Sequence, residues 1–302
     1  MPIHLPAVGR RQFLRTSVAA GVGLLTVRWT KADALAADGE SWALLSDTHL
    51  SGDRDEIKNE VHLFKNLDQV LNEVRGLPQR PSGLLVNGDL AMLDGQPADY
   101  QLLAEMMSTV TAADIPVHLS LGNHDHRENF WQAIANQKAP QPPVESRQIT
   151  VIESPRVNWL LLDSLVTTNE APGTLGETQL HWLVTALDAQ PDKPAIVMVH
   201  HNPDPKNPKS SALTDTDALF EILLPRRQVK AYVFGHTHHW SHREYEGIHF
   251  VNLPPTAYPF QAGDPNGWVH CTLNDHGAKF ELRAIDAKHP KQGETLDLKW
   301  RT

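Results

Sequence analysis

Leu84-Leu-Val-Asn-Gly-Asp89, a helical pattern over 98–112, and then Val117-His-Leu-Ser-Leu-Gly-Asn-His-Asp125 read as strand, helix, strand. The short apolar runs suit buried strands, and the longer periodic run between them suits a crossover helix. Parallel strands need such a crossover, so this stretch predicts neighbours in a parallel sheet. The alternation continues in both directions. Upstream, Ala43-Leu-Leu-Ser46 precedes a predicted helix over 55–75. Downstream come helix 128–136, strand Val157-Asn-Trp-Leu-Leu-Leu162, helix 177–189, strand Ala195-Ile-Val-Met-Val199, helix 216–224 and strand Ala231-Tyr-Val-Phe234. Five further strands follow with few helices, over 242–245, 249–252, 268–273, 279–283 and 296–300. The pattern predicts an α/β fold, a sandwich of sheets flanked by helices, in one domain over 37–302. No Gly/Ser linker or fixed-period repeat divides that domain.

Five polar blocks fall where an apolar run ends. Leu44-Leu-Ser46 runs into Asp47-Thr-His49, Leu85-Val86 into Asn87-Gly-Asp89, and Ser120-Leu121 into Gly122-Asn-His-Asp125. Met198-Val199 runs into His200-His201, and Val233-Phe234 into Gly235-His-Thr-His238. Ligands in open α/β sheets bind beyond the carboxyl ends of the strands, so five strand ends would bring these side chains to one edge. The glycines before Asp89, Asn123 and His236 suit backbone that must turn sharply and pass close to an ion or substrate.

The chain has 17 histidines and one cysteine, Cys271, which removes thiolate clusters and internal disulfides. Imidazole and carboxylate donors suit Mn, Fe, Zn, Co or Ni and argue against calcium. Residues 1–36 hold five Lys/Arg and one Asp, which leaves 22 basic against 35 acidic residues in the body, a net charge of −13. So acidic a body argues against general nucleic-acid binding.

The first 36 residues have the parts of an export signal: Arg10-Arg11 before Phe13-Leu14, the weakly apolar run Val18-Ala-Ala-Gly-Val-Gly-Leu-Leu25, and Ala34-Leu-Ala36 as the cleavage site. They resemble a bacterial twin-arginine signal, which implies the twin-arginine export machinery as a partner and a periplasmic or secreted destination. Gly9 stands where such signals usually carry Ser or Thr, and Arg28 and Lys31 intrude before the cleavage site. The alternative is a basic arm that stays on the protein. The apolar run is well short of the ~20 residues a membrane-spanning helix requires.

In order, the blocks D-x-H, G-D, G-N-H-D, H and G-H-x-H from Asp47 to His238 resemble the calcineurin-like metallophosphoesterase family. The stretch Gly173-Thr-Leu-Gly-Glu-Thr-Gln-Leu-His-Trp-Leu183 is similar to a helix start common there. The resemblance implies a four-layer α/β/β/α sandwich with a dinuclear metal site at the strand C-terminal ends. It implies that Asp47, His49, Asp89 and His238 surround one ion. Asp89, Asn123, His200 and His236 would surround the second, so that Asp89 is shared. His200 is preferred over His201 as the ligand because it continues directly from the strand.

Two ions about 3.5–4 Å apart can generate hydroxide near neutral pH and stabilise in-line displacement on a phosphate ester, without a protein nucleophile. Consistently, the chain has no G-x-S-x-G elbow. His124 adjoins a ligand but exceeds the metal count, which makes it the expected catalytic group. It would protonate the leaving alkoxide or hold the phosphoryl charge. Asp125 would either cap the helix near Arg127, with Glu128, or orient His124. His201 and His239 stand as supporting or merely exposed groups. His126, Trp240 and Tyr258 are pocket candidates by nearness alone, and the proline-rich loops 140–143 and 202–208 are either walls of the site or plain surface.

The residues after Gly88-Asp89 are Leu-Ala-Met-Leu-Asp94-Gly95, unlike the G-D-x-x-D-R-G of protein serine/threonine phosphatases. The resemblance instead points to cyclic-nucleotide and glycerophosphodiester phosphodiesterases, with small phosphate esters as substrates. A phosphomonoesterase of the same fold and a non-catalytic metal-binding protein are the alternatives. A metallo-β-lactamase-type hydrolase would need H-x-H-x-D-H, which His236-Thr-His-His-Trp240 does not supply.

Overall fold

The computed structural model describes residues 40–134, 143–204 and 211–302. The expected export signal and much of both proline-rich loops lie outside them. Two six-stranded sheets make up the body. In the first, strands β1 (Glu40–Leu45), β4 (Leu84–Asn87) and β5 (Val117–Ser120) run parallel. Antiparallel strands β12 (Gly267–Asn274), β13 (Gly277–Ala284) and β14 (Thr295–Lys299) extend it beyond β1. In the second, β7 (Asn158–Leu161), β8 (Ala195–Met198), β9 (Val229–Phe234) and β11 (Ile248–Asn252) run parallel. Antiparallel β6 (Thr150–Glu153) and β10 (Ser241–Tyr245) form its edges.

Side-chain alternation along the strands builds the layers. Trp42, Leu44 and Leu85 point between the sheets and meet Trp159, Leu161, Ile196 and Met198. The rings of Trp42 and Trp159 lie 5.7 Å apart at 58°. The alternate residues Ala43, Leu45, Leu84 and Val86 pack against helices α1 (Leu63–Arg75) and α2 (Pro97–Thr111). On the far side, Leu160, Leu162, Val197 and Val199 pack against α4 (Glu177–Asp188) and α5 (Thr216–Leu223). The short α3 (Arg127–Ile134) completes the first helical layer through Phe130. The expected α/β/β/α sandwich is the observed fold.

The predicted helix over 55–75 starts later than the sequence suggests. Residues 57–62 instead form a hairpin of β2 (Ile57–Lys58) and β3 (Val61–His62). Asn59 and Glu60 sit at φ 50° and 65°, the left-handed pair of a two-residue hairpin turn. Ile57, Val61 and Phe64 are spaced four and three apart, which a helix would also use; only from Leu63 does a buried stripe follow, through Leu67, Val70, Leu71 and Val74. Edge strand β6 was not expected at all. No helix among the described residues is long and apolar enough to cross a membrane.

Candidate metal centre

Strands β1, β4 and β5 of one sheet and β8 and β9 of the other all end at the same edge, and their exits hold the five polar blocks. Beyond the strand ends the ladder continues for a few residues: Asp47 donates its N–H to Gly88 O at 3.1 Å, and His49 donates to Asp89 O at 2.9 Å. Thr256 and Ala257 donate to the carbonyls of Ser46 and Asp47, which brings the loop after β11 against the same edge. Asp47, His49, Asp89, His236 and His238 all have positive φ, between 43° and 67°. Side chains rarely adopt this conformation, and its concentration here marks a constrained site.

Two glycines explain how the backbone fits. A Cβ on Gly122 would run into the Asp89 carboxylate, and one on Gly235 would run into Ser46 Oγ and the Asp47 carboxylate. The chain passes closest to the carboxylates where it has no side chain.

Asp47, His49, Asp89 and His238 form one group of converging donor atoms, and Asp89, His200 and His236 form a second, with all atoms of each group within 4.8 Å of one another. His49 Nε2 and His238 Nε2 face each other at 2.9 Å. His238 Nε2 lies 3.3 Å from Asp47 Oδ1, and His49 Nε2 lies 3.7 Å from Asp89 Oδ2. His200 Nε2 lies 3.3 Å from the same Asp89 oxygen and 4.0 Å from Asp47 Oδ1. This set fits metal ions better than it fits hydrogen bonding. Asn123 Oδ1 and His200 Nε2 are buried without a hydrogen-bond partner, an expensive state unless a cation accepts their lone pairs.

The back nitrogens of the rings fix which atom faces inward. His200 donates Nδ1–H to Asn87 O at 2.9 Å, and His238 donates Nδ1–H to Tyr258 O at 2.5 Å, so Nε2 is the free donor in both. His236 is turned the other way, donating Nε2–H to Ser211 O at 2.9 Å and leaving Nδ1. Backbone carbonyls have no sequence signature, so these anchors could not be read from the residues alone.

The site polarises its own groups. Burial would raise the Asp47 carboxyl, but His238 and His200 beside it hold it down to about 2. Burial is also outweighed at Asp89, where His200 and His49 keep the carboxyl well below the ordinary carboxylate range. Burial drives His49 down to about 3 and, with help from the His200 ring, His236 down to about 4, so both rings are neutral and keep a lone pair that could serve a metal ion. At His200 the opposite balance holds: burial lowers it, yet Asp89 and Asp47 carry it up to about 9. A cation entering there takes the place of a proton.

His124 is half-buried beside the two groups, its ring 5.3 Å from that of His49. Its N–H donates to Asp89 Oδ1 at 2.8 Å, and its Nδ1–H donates to Leu93 O at 2.7 Å. Asp125 performs neither of the roles expected of it. The cap of α3 is His126, whose Nδ1 accepts from Asn129 N at 3.3 Å, and His124 is oriented by Leu93. Asp125 instead ties two strand exits together, because its carboxylate accepts from Leu90 N, Ala91 N, Gly122 N and Tyr100 Oη at 2.8–3.1 Å.

Replacing one of those oxygens by an amide would turn an NH₂ toward donors. Asp125→Asn should therefore destabilise the protein by about 2 kcal/mol. A thermal melt should show this as a fall of several degrees, and an unchanged melting temperature would count against the tie.

His201 is buried but faces away from the carboxylates, with Nδ1 2.7 Å from Ser164 Oγ and Nε2 2.9 Å from Ala171 O. His239 bonds Asp264 Oδ2 at 2.6 Å. Trp240 belongs to the core between the sheets, whereas Tyr258 does border the centre, its ring 5.4 Å from His49 and stacked on it.

The chain is similar to a 3',5'-cyclic-nucleotide phosphodiesterase of Nostoc sp., with 32% identity over 182 residues, 59% of this chain and 64% of that protein. It thus spans just under two thirds of that relative's length. It is also similar to a 3',5'-cyclic adenosine monophosphate phosphodiesterase of Vibrio vulnificus, at 27% identity over 82% of this chain and 90% of that one. Among solved structures, a dimetal phosphatase from Danio rerio superposes with a TM-score of 0.66 at 14% identity, over 87% of this chain and all of the other. That likeness concerns the fold. The model of the calcineurin-like phosphoesterases matches residues 42–240, the greater part of the chain and all five polar blocks, and the chain belongs to that family.

Proposed function

We propose that the chain is an exported phosphodiesterase that works with two metal ions held at Asp47, His49, Asp89, Asn123, His200, His236 and His238. The observation that carries this reading is the pair of donor groups sharing Asp89, with the half-buried His124 beside them. The names of the Nostoc and Vibrio relatives favour a diester over a monoester. When bound, a pair of divalent ions lowers the pKa of water and neutralises phosphoryl oxygens.

The chain's own groups do the rest. Asp89 is fixed by the His124 N–H on one oxygen while the other faces both His49 and His200. His124 has its Nδ1–H committed to Leu93 O, so Nε2 is the atom that can hand a proton to the departing ester oxygen. His236 and His238 are held from behind by Ser211 and Tyr258 carbonyls, which keeps their free nitrogens aimed at the donor groups.

Metal-loaded protein should carry two ions per chain by elemental analysis and hydrolyse bis-p-nitrophenyl phosphate faster than p-nitrophenyl phosphate. Turnover of the monoester alone would overturn the diesterase reading, and turnover of neither would support a non-catalytic metal-binding role.

Export rests on Arg10-Arg11 ahead of Phe13-Leu14 and the weakly apolar run to Leu25. Changing both arginines to lysine should leave uncleaved protein in the cytoplasm. Normal periplasmic arrival of that double variant would defeat the export proposal.

A further inference from the structure

Phe260 is 63% exposed although it belongs to a loop fixed at several points. Its ring stacks on His238 with centroids 3.9 Å apart and planes 6° from parallel. The loop on either side is tied down: Tyr258 O accepts from His238 Nδ1, and Asp264 Oδ2 bonds His239 Nδ1 at 2.6 Å and lies in the same carboxylate as the oxygen 3.9 Å from Lys291 Nζ. Asn266 Nδ2 donates to Ala257 O at 2.8 Å, closing the loop on itself.

An exposed phenyl ring held this firmly gains little from burial, since only one of its faces rests on His238. What it offers is its other face, flat, apolar and beside a group that would ligate a metal. Leu93, whose carbonyl anchors His124, is 46% exposed, so a second apolar side chain reaches solvent near His124. An extended glycerol chain has no flat surface to lay on a ring, whereas a nucleobase does.

We propose that Phe260 is the stacking platform for a nucleobase on the ester substrate and so determines which diesters the enzyme prefers. This rests on the phosphodiesterase reading, which it deepens. Phe260 acts on binding, and proton transfer stays with His124.

The test compares two ligands that share a phosphate and a ribose and differ in the base. Titration calorimetry on metal-loaded protein should show adenosine monophosphate binding about tenfold more weakly to Phe260→Ala, within the range alanine substitution costs in base stacking, with ribose 5-phosphate unchanged. Phe260→Leu, which still covers His238 but has no flat face, should lose the same selectivity, and Phe260→Trp should keep it. In kinetics, Phe260→Ala should raise KM for 3',5'-cyclic AMP about tenfold at unchanged kcat, and leave sn-glycero-3-phosphoethanolamine unaffected. Equal weakening of both calorimetric ligands, retention of AMP affinity in Phe260→Leu, or loss of metal from Phe260→Ala by elemental analysis would each overturn the platform. A wild-type protein that hydrolyses neither diester would instead sink the phosphodiesterase reading, while the AMP and ribose 5-phosphate comparison would still report on Phe260.

Discussion

Asp89→Ala should empty both metal positions at once and bring phosphodiester hydrolysis down by at least about 10³-fold, since metal stabilisation of the transition state is worth several kcal/mol. Asp89 is the only carboxylate common to the two donor groups, and one of its oxygens faces both His49 and His200. Its loss also leaves the His124 N–H without its acceptor. Elemental analysis of the purified variant is the deciding measurement. Retention of one ion at full occupancy would show that Asp89 serves a single position. Asp89→Asn separates charge from shape: it can still accept from His124 N–H, and should nevertheless lose both ions because the negative charge is gone.

His124→Ala should show the reverse pattern, with metal content near wild type and kcat down by roughly 10²–10⁴. The residue touches Asp89 through its main-chain N–H, which alanine keeps, so assembly of the donor groups is spared. Removal of the ring takes away the group whose Nδ1–H is held by Leu93 O and whose Nε2 is free to donate. If that proton goes to the leaving oxygen, the loss depends on the leaving group. A p-nitrophenolate needs little protonation, and its ester should suffer less than an alkyl ester. Equal losses on both would favour electrostatic positioning of the phosphoryl group over proton transfer. Loss of an ion would instead make His124 a ligand.

The strand ends at the site were legible because their apolar runs stop at residues that no buried strand would carry: Asp47 after Ser46, Asp89 after Gly88, His200 after Val199. The alternation of short apolar runs with longer helical patterns, together with the family resemblance, pointed to the layers and the donor groups. Four things stayed hidden for physical reasons. The hairpin at Ile57–His62 shares its apolar spacing with a helix, and only the left-handed Asn59-Glu60 pair distinguishes them. The carbonyls of Asn87, Leu93, Ser211 and Tyr258 that aim the imidazoles belong to the main chain, which every residue has. Asp125 looked like a helix cap or a partner of His124 because it stands between that residue and a helix, but its contacts with Leu90 and Ala91 span a separation that no local pattern encodes. Phe260 lies outside every motif, and its stacking on His238 depends on the return of the chain after β11.

The five residues of the donor groups that sit at positive φ, Asp47, His49, Asp89, His236 and His238, set a limit on how this protein can change. Each holds a conformation that disfavours a side chain by about 1 kcal/mol, and glycine would relieve it. Asp47→Gly or His236→Gly would thus ease the backbone while deleting a donor. A population selected for heat resistance alone, with no demand for turnover, should drift toward glycine at these five positions, and sequencing its survivors would show whether folding and chemistry compete there.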